Sequence, residues 1–351
     1  MNLSAVYSGC TFYFLFSYFL YYMTMIKQQS LYQLENTDLK LLTAYCIQNQ
    51  PSTSSLLGWL LNSPQSCPNE FSNAIFYCSA PNPWALIAQN QTVVWLIEIK
   101  DRIRIFVSSE PFLDQCPTTD LAVKYCEDPE TSLQGPMFIA ADHQALYKES
   151  ENLLEQLLKT FMENKKEILV HGCSVIWSPL LRRLFKIPYN GPCKRFVNPA
   201  SKYPLPCSLR NGYSIAKAEK KHAPLIIEYN KIKFEMQYVI EGLEMSTVIT
   251  TQDNTPVAWA MSHRDLTVGA LHVLGSHRRQ GLAEAVVADI CGQHTAFYQK
   301  HSPDPTVEHY AQAIVEYPNS TSASFFKKLG WYTHGPGITW VVIGPKEKSI
   351  E

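Results

Sequence analysis

The sequence predicts a mixed α/β protein with an anion-binding strand–loop–helix unit in its C-terminal part. Three observations predict it. Residues 268–274 are an apolar, β-rich run that stops at Gly275, and an apolar-periodic segment, 283–298, opens just after Gly281-Leu282. Further β-rich runs flank that unit on both sides. Strand-like and helical runs also alternate between residues 27 and 203, enough for a second α/β module. At 351 residues, 46% hydrophobic and 17% charged, the chain is long enough to bury a full core and to hold two domains.

Residues 3–26 carry no charge and are loaded with Phe, Tyr and Leu, a length that spans a bilayer as a helix. They lack a basic leading region and a small-x-small cleavage site. Three readings stay open: a signal-anchor, an over-extended start with Met23 or Met25 as initiator, or a helix packed on the body. The division that follows is 1–26 as a hydrophobic N-terminal segment, 27–205 as an N-terminal α/β domain, and 206–351 as a C-terminal domain. In the middle part, 56–61 (Leu-Leu-Gly-Trp-Leu-Leu) reads as a buried strand. Strands are also expected at 74–78, 92–99 and 103–107, the last two joined by a turn at Lys100-Asp101-Arg102. Residues 147–165 are helical by period, and 168–176 return as strand. The stretch 188–206 holds five prolines and is expected to be a connector.

The C-terminal part is more regular. Helical stretches at 218–231 and 235–243 precede a hairpin, 247–251 and 257–261, turned by Asp253-Asn254-Thr255-Pro256. The strand–loop–helix unit follows. Another strand is expected at 311–317, then a short helix, 321–329, stopped by Gly330.

The loop fits Arg/Gln-x-x-Gly-x-Gly/Ala, with Arg278, Gly281 and Ala283 at its fixed places. Small residues there let backbone N–H groups approach an anion, and the helix dipole adds partial positive charge. His277, Arg278 and Arg279 add more. The spacing matches neither the dinucleotide fingerprint G-x-G-x-x-G nor the P-loop G-x-x-x-x-G-K-[ST]. A net charge of −1, with acids and bases nearly balanced from Asn211 onward, gives no basic face for nucleic acid. The ten cysteines include no C-x-x-C and no zinc-ligand spacing with histidine, so no metal is expected. They read as mostly reduced thiols, with disulfides in the N-terminal half left open if the chain is secreted.

The R-x-x-G-x-A loop, followed by N-S-T-S-A-S-F-F-K-K-L-G-W at 319–331, resembles the two conserved blocks of the GCN5-related N-acetyltransferase (GNAT) superfamily. The stretch D-N-T-P-V-A-W, then L-H-V-L-G-S-H-R-R-Q-G, is similar to the C-terminal domain of glycine N-acyltransferase-like proteins. The match covers about residues 211–342. The resemblance implies a mixed sheet with a splay at its centre, flanked by helices, and an N-terminal half that is a diverged copy of the same fold. It implies an acyl-CoA co-substrate, a small amine acceptor such as an amino acid, and no metal.

By the same resemblance, the backbone of His272, Val273 and Leu274 meets the thioester carbonyl and the pantetheine arm. Arg278, Arg279, Gln280, Gly281, Leu282 and Ala283 cradle the phosphates, and Asn319 holds the pantetheine. The carboxylate expected as general base falls on Thr267, eleven residues before Arg278, which cannot act as one. Asp265, Glu316 and His272 are the nearby candidates. The tyrosine that donates a proton in many members falls at Phe326, with Tyr317 close by. An N-acyltransferase for an amino acid or another small amine is the leading reading. A protein or polyamine acetyltransferase, or a non-catalytic acyl-CoA-binding module tethered to a membrane through residues 3–26, are the alternatives. The expected location is intracellular, cytoplasmic or mitochondrial, with no Arg-rich transit pattern.

Overall fold

The alternation of β-branched runs with amphipathic helices builds the same sequence of elements twice. A computed structural model describes residues 31–114, 139–203 and 209–346. The first half opens with β1 (Tyr32–Gln33), α1 (Asn36–Gln48), α2 (Ser54–Ser66) and α3 (Pro68–Ser72). A meander follows, β2 (Ile75–Cys78), β3 (Val94–Ile99) and β4 (Arg102–Val107), with α4 (Pro83–Ala88) inside it and α5 (Glu110–Leu113) after it. The long helix α6 (Gln144–Met162) precedes β5 (Ile168–Ser174), which runs parallel to β4. Then come α7 (Ser178–Leu184) and the long strand β6 (Lys186–Pro199).

The second half repeats the order. β7 (Tyr213–Lys217), α8 (Ala223–Tyr229) and α9 (Met236–Gly242) lead into the meander β8 (Thr247–Thr251), β9 (Pro256–Ser262) and β10 (Thr267–Val273). The helix α10 (Leu282–His301) precedes β11 (Tyr310–Glu316), parallel to β10. α11 (Ser320–Lys328), β12 (Tyr332–Thr333) and β13 (Ile338–Gly344) finish the chain.

All strands belong to one thirteen-stranded sheet, in the order β1-β2-β3-β4-β5-β13-β6-β11-β10-β9-β8-β7, with β12 also on β6. The last strands of the two halves are exchanged. β6 pairs antiparallel with β11 of the second half, β13 pairs antiparallel with β5 of the first, and the two pair with each other. Helices cover both faces. α6 and α7, with Trp177 in the turn before α7, pack Leu154, Leu158 and Leu180 on one face of the first half, and α1 and α2 pack Leu42, Leu57 and Trp59 on the other. In the second half α10 and α11 bury Val286, Ile290 and Phe326 on one face, while α8 and α9 bury Ile226 and Val239 on the other. The expected mixed sheet flanked by helices is present, and the duplication invisible as a sequence repeat is plain in the topology.

Two expectations are corrected. Residues 56–61 are not a strand but the middle of α2, whose backbone at Gly58 lies against the carbonyl of Asp265. An apolar run this short does not separate a buried strand from a buried helix, and α2 is enclosed by the sheet and the second half. The proline-rich 188–206, of which 204–206 lie outside the described residues, is not a connector over 188–199. Most of it is β6, the strand that joins the halves, with Pro192 where the pairing passes from β13 to β11 and Pro199 at the end. Proline is tolerated where a strand changes partner or ends, because no ladder donor is needed there.

Residues 3–26 lie outside the described residues, and no described helix is long and apolar enough to cross a membrane. The six described cysteines, Cys46, Cys67, Cys78, Cys173, Cys193 and Cys291, are buried free thiols.

Candidate active site

The loop after β10 has the shape its glycines require. Gly281 is the N-cap of α10 with φ of +82°, a conformation open to glycine at little cost, and Arg279 before it has φ of +61°. No side chain caps the helix, so its first N–H groups, at Leu282 and Ala283, have no side-chain cap acceptor. A Cβ built on Gly275 or Gly281 would meet nothing within 4 Å, so the space beside both glycines is open. Tyr213 of β7 braces the loop from beneath: its hydroxyl donates to Gln280 Oε1 at 2.9 Å and lies 2.9 Å from His277 Nδ1. The Arg278 guanidinium is exposed and donates from Nε to the Val273 carbonyl at 3.0 Å. Backbone donors, a dipole and two arginines beside open space suit a pyrophosphate.

The strand that feeds the loop parts from its neighbour. β10 and β11 pair only at Thr267–Gln312 and Val268–Ala313, and beyond that no ladder joins them. On its other edge β10 carries a bulge between Gly269 and His272, with Ala270 at φ of +47°. The Leu274 N–H donates to Val257 of β9 at 2.9 Å. Alternation along the strand therefore turns the Val273 N–H, and not that of Leu274, toward the gap. The three backbone positions expected to act together thus divide: Leu274 belongs to the sheet and Val273 to the gap.

A cavity of about 1130 Å³ opens at this gap and runs over one face of the central strands, from β10 to β4. Both halves build it. Arg104 of β4, His171 of β5 and Trp59 of α2 come from the first half, and Tyr238 of α9, His263 and Ile314 from the second. Ion pairs knit its floor. Glu70 bonds to Arg102 at 2.9 Å and to Arg264 at 2.5 Å, and Arg264 reaches Glu241 at 2.5 Å.

The three sequence-derived catalytic candidates do not come together. Asp265 is buried, accepts from Ser55 Oγ at 2.6 Å and from the Thr267 N–H at 3.3 Å, and pairs with Arg104 at 3.6 Å. Burial would raise its pKa, but Arg104, with His263 and Ser55 behind it, holds it down to about 2. Such a carboxylate ties the halves together and is a poor proton acceptor near neutrality. Glu316 ends β11 at the cavity edge, in an ion pair with exposed Lys231 at 2.7 Å. His272 is packed between Trp259 and Tyr229, with ring centroids 5.0 and 4.9 Å away, and burial, aided by Arg278, lowers its pKa.

Thr267 is buried with its hydroxyl unpartnered among the described residues. Asn319 caps α11 by accepting from the Ser322 N–H at 3.0 Å. Phe326 is buried against Phe196 and Trp331, in the core beneath the sheet. Tyr317 is occupied, donating to the Pro336 carbonyl at 2.8 Å.

Sequence reasoning missed His263, Tyr238, His171 and Arg104, all on the cavity wall. His171 and Arg104 lie in the half where no motif pointed. His263 stands in a turn whose histidine carries no spacing signal.

No family model and no curated protein matches the sequence. Among solved structures, a Drosophila protein determined by a structural-genomics consortium is similar over 90% of this chain and 99% of its own, with a TM-score of 0.59 at 15% identity, and shares the fold. A tandem GNAT protein from the clavulanic acid biosynthesis pathway aligns over 91% of this chain and 99% of its own, with a TM-score of 0.45 at 10% identity. A GCN5-related N-acetyltransferase from Sphaerobacter thermophilus aligns over 90% and 95%, with a TM-score of 0.42 at 10% identity.

Proposed function

We propose that the chain is an acyl-CoA-dependent N-acyltransferase, moving an acyl group from a CoA thioester to the amine of an amino acid such as glycine or of another small amine. The observation that carries this reading is a coincidence at one strand. β10 has an open anion cradle at its C-terminal end, a gap along one edge, and a cavity large enough for an acceptor opening at that gap. A cosubstrate with a pyrophosphate at one end and a reactive thioester at the other fits that order. In this reading residues 206–351 carry the cradle and the gap, and residues 27–205 supply much of the acceptor wall.

The chain's own groups then have assigned work. The N–H groups at Leu282 and Ala283, with Arg278 and Arg279, hold the phosphates. The Val273 N–H, directed into the gap, polarises the thioester carbonyl as negative charge develops on its oxygen. Asn319, whose amide oxygen caps α11 and whose amide nitrogen has no partner among the described residues, reaches the pantetheine arm. Acceptor and thioester are held side by side, which by itself supplies a large part of the acceleration.

The test is thiol release from acetyl-, butyryl- and benzoyl-CoA by the full chain, with glycine, glutamine and spermidine as acceptors. Arg278→Glu and Gly281→Asp each put a carboxylate in the cradle and serve as controls. Amine-dependent turnover lost in both controls supports the reading. Saturable CoA binding with no turnover on any acceptor refutes it and leaves a binding module.

A further inference from the structure

His263 lies in the tight turn from β9 to β10, where its N–H donates to the Thr267 carbonyl at 2.9 Å and its carbonyl accepts from Leu266 at 2.9 Å. The turn folds its side chain back over β10. A Cβ built on Gly269 would come within 2.0 Å of Nε2, so the imidazole edge rests on the glycine backbone. Gly269 is the last paired residue before the bulge, beside the point where β10 leaves β11. The other ring nitrogen, Nδ1, lies 2.8 Å from the Tyr238 hydroxyl, and Phe234 packs edge-on at 5.5 Å. Nε2 has no hydrogen-bond partner among the described residues, and the ring lines the cavity.

We propose that His263 is the general base of this site, accepting the acceptor's ammonium proton at Nε2, with Tyr238 as its positioning residue; this rests on the acyl-transfer reading above. The other candidates are each committed elsewhere: Asp265 to Arg104, Glu316 to Lys231, His272 to its aromatic stack. Burial lowers the pKa of His263, with Asp265 pulling the other way, so the ring is neutral near pH 7. Burial and Asp265 push Tyr238 far up, so it keeps its proton. In the proposed tautomer the Tyr238 oxygen accepts from Nδ1–H across the 2.8 Å contact, leaving the lone pair on Nε2.

The charged and titratable groups facing the ring are Asp265 and Arg264 in its own turn, Arg104 of β4, His171 of β5, Tyr238 of α9 and His294 of α10. None of them is placed as Nε2 is, against the bulge.

The step balances. One ammonium proton passes to Nε2, and the freed lone pair attacks the thioester carbon. The C–N bond forms, the C–S bond breaks, and the nitrogen's second proton goes to the departing thiolate. The imidazolium returns its proton to solvent through the cavity mouth. The products are the amide, the free thiol and one proton.

The experiment compares two acceptors in the full chain: the best amine found in the thiol-release screen, protonated at pH 7, and aminoacetonitrile, already neutral there. His263→Gln is expected to lower kcat/KM for the protonated amine by roughly 10²–10⁴-fold and for aminoacetonitrile by less than about threefold. Calorimetric CoA binding is expected to be unchanged. Tyr238→Phe keeps the ring packing and is expected to shift the acidic limb of the pH–rate profile, with a smaller loss. In the wild type, an NMR titration of the His263 ring should give the pKa that sets that limb. An equal loss with both acceptors, or no loss with either, overturns the proposal while leaving acyl transfer standing. No turnover by the wild type on any acyl-CoA and amine overturns both.

Discussion

Glu110→Gln should make the protein more stable at alkaline pH and leave it nearly unchanged at acidic pH. The Glu110 carboxyl is 5% exposed, and its Oε1 accepts from Trp177 Nε1 at 2.8 Å and from the Val107 N–H at 3.1 Å. Burial, reinforced by Asp114 close by, pushes its pKa up to about 8 from 4.5. Between those values the folded state holds a proton that the unfolded state has released. Stability is therefore full below the lower value and falls as pH rises through the window, by at most about 1.4 kcal/mol per pH unit. Across the window that amounts to roughly 3–5 kcal/mol. Glutamine keeps the acceptor oxygen for both bonds and has no charge to bury, so the pH-dependent part disappears. Urea denaturation of both proteins at about pH 5 and pH 8.5 isolates it, since titrating groups not coupled to Glu110 cancel in the difference. A difference between the two proteins that is the same at both pH values would refute the reasoning.

Three further outcomes are expected. Calorimetric titration with CoA should give one site per chain. β4 and β5 also part after two paired positions, but Trp177, Val107 and Leu113 are buried in the apolar core of that half, and α5 follows β4 where a glycine loop follows β10. A stoichiometry of two would overturn this. Asp265→Ala leaves Arg104 buried without its carboxylate and should lower stability by about 3–5 kcal/mol in chemical denaturation, with Asp265→Asn costing less. Phe326→Tyr, which restores the residue type implied by the family resemblance, should leave kcat unchanged and cost about 1–3 kcal/mol, because the hydroxyl would be pressed into the core against Phe196 and Trp331. A rise in kcat would show that the ring reaches the reacting atoms after all.

The second half was legible because its signals are local. The hairpin turn at Asp253–Pro256, the glycine with positive φ at Gly281 and the capped helix after Asn319 each act within a few residues, and the structure has them where the spacing puts them. What could not be read is what depends on distant partners. The 56–61 run has the same apolar pattern whether strand or helix, and only its enclosure between sheet and second half decides. The prolines of 188–206 argue for a loop until β13, from the far end of the chain, supplies a pairing partner. His263 is the same case at the site: its neighbour Gly269 is near in sequence, but Tyr238 and the cavity come from another element.

The exchanged strands explain why the site is composite. β6 is the immediate neighbour of β11, so the edge of the gap opposite β10 is held by a strand from the first half. Without β6, β11 would be an open edge with unpaired backbone groups, free to close on β10 or to pair with another chain. The same exchange lays β4 and β5 on the face that continues from the gap, bringing Arg104 against Asp265 and His171 into the cavity. In the proposed reading the first half borders the gap on one side and walls the acceptor cavity on the other, so the duplicated half would serve as the second wall of a single site.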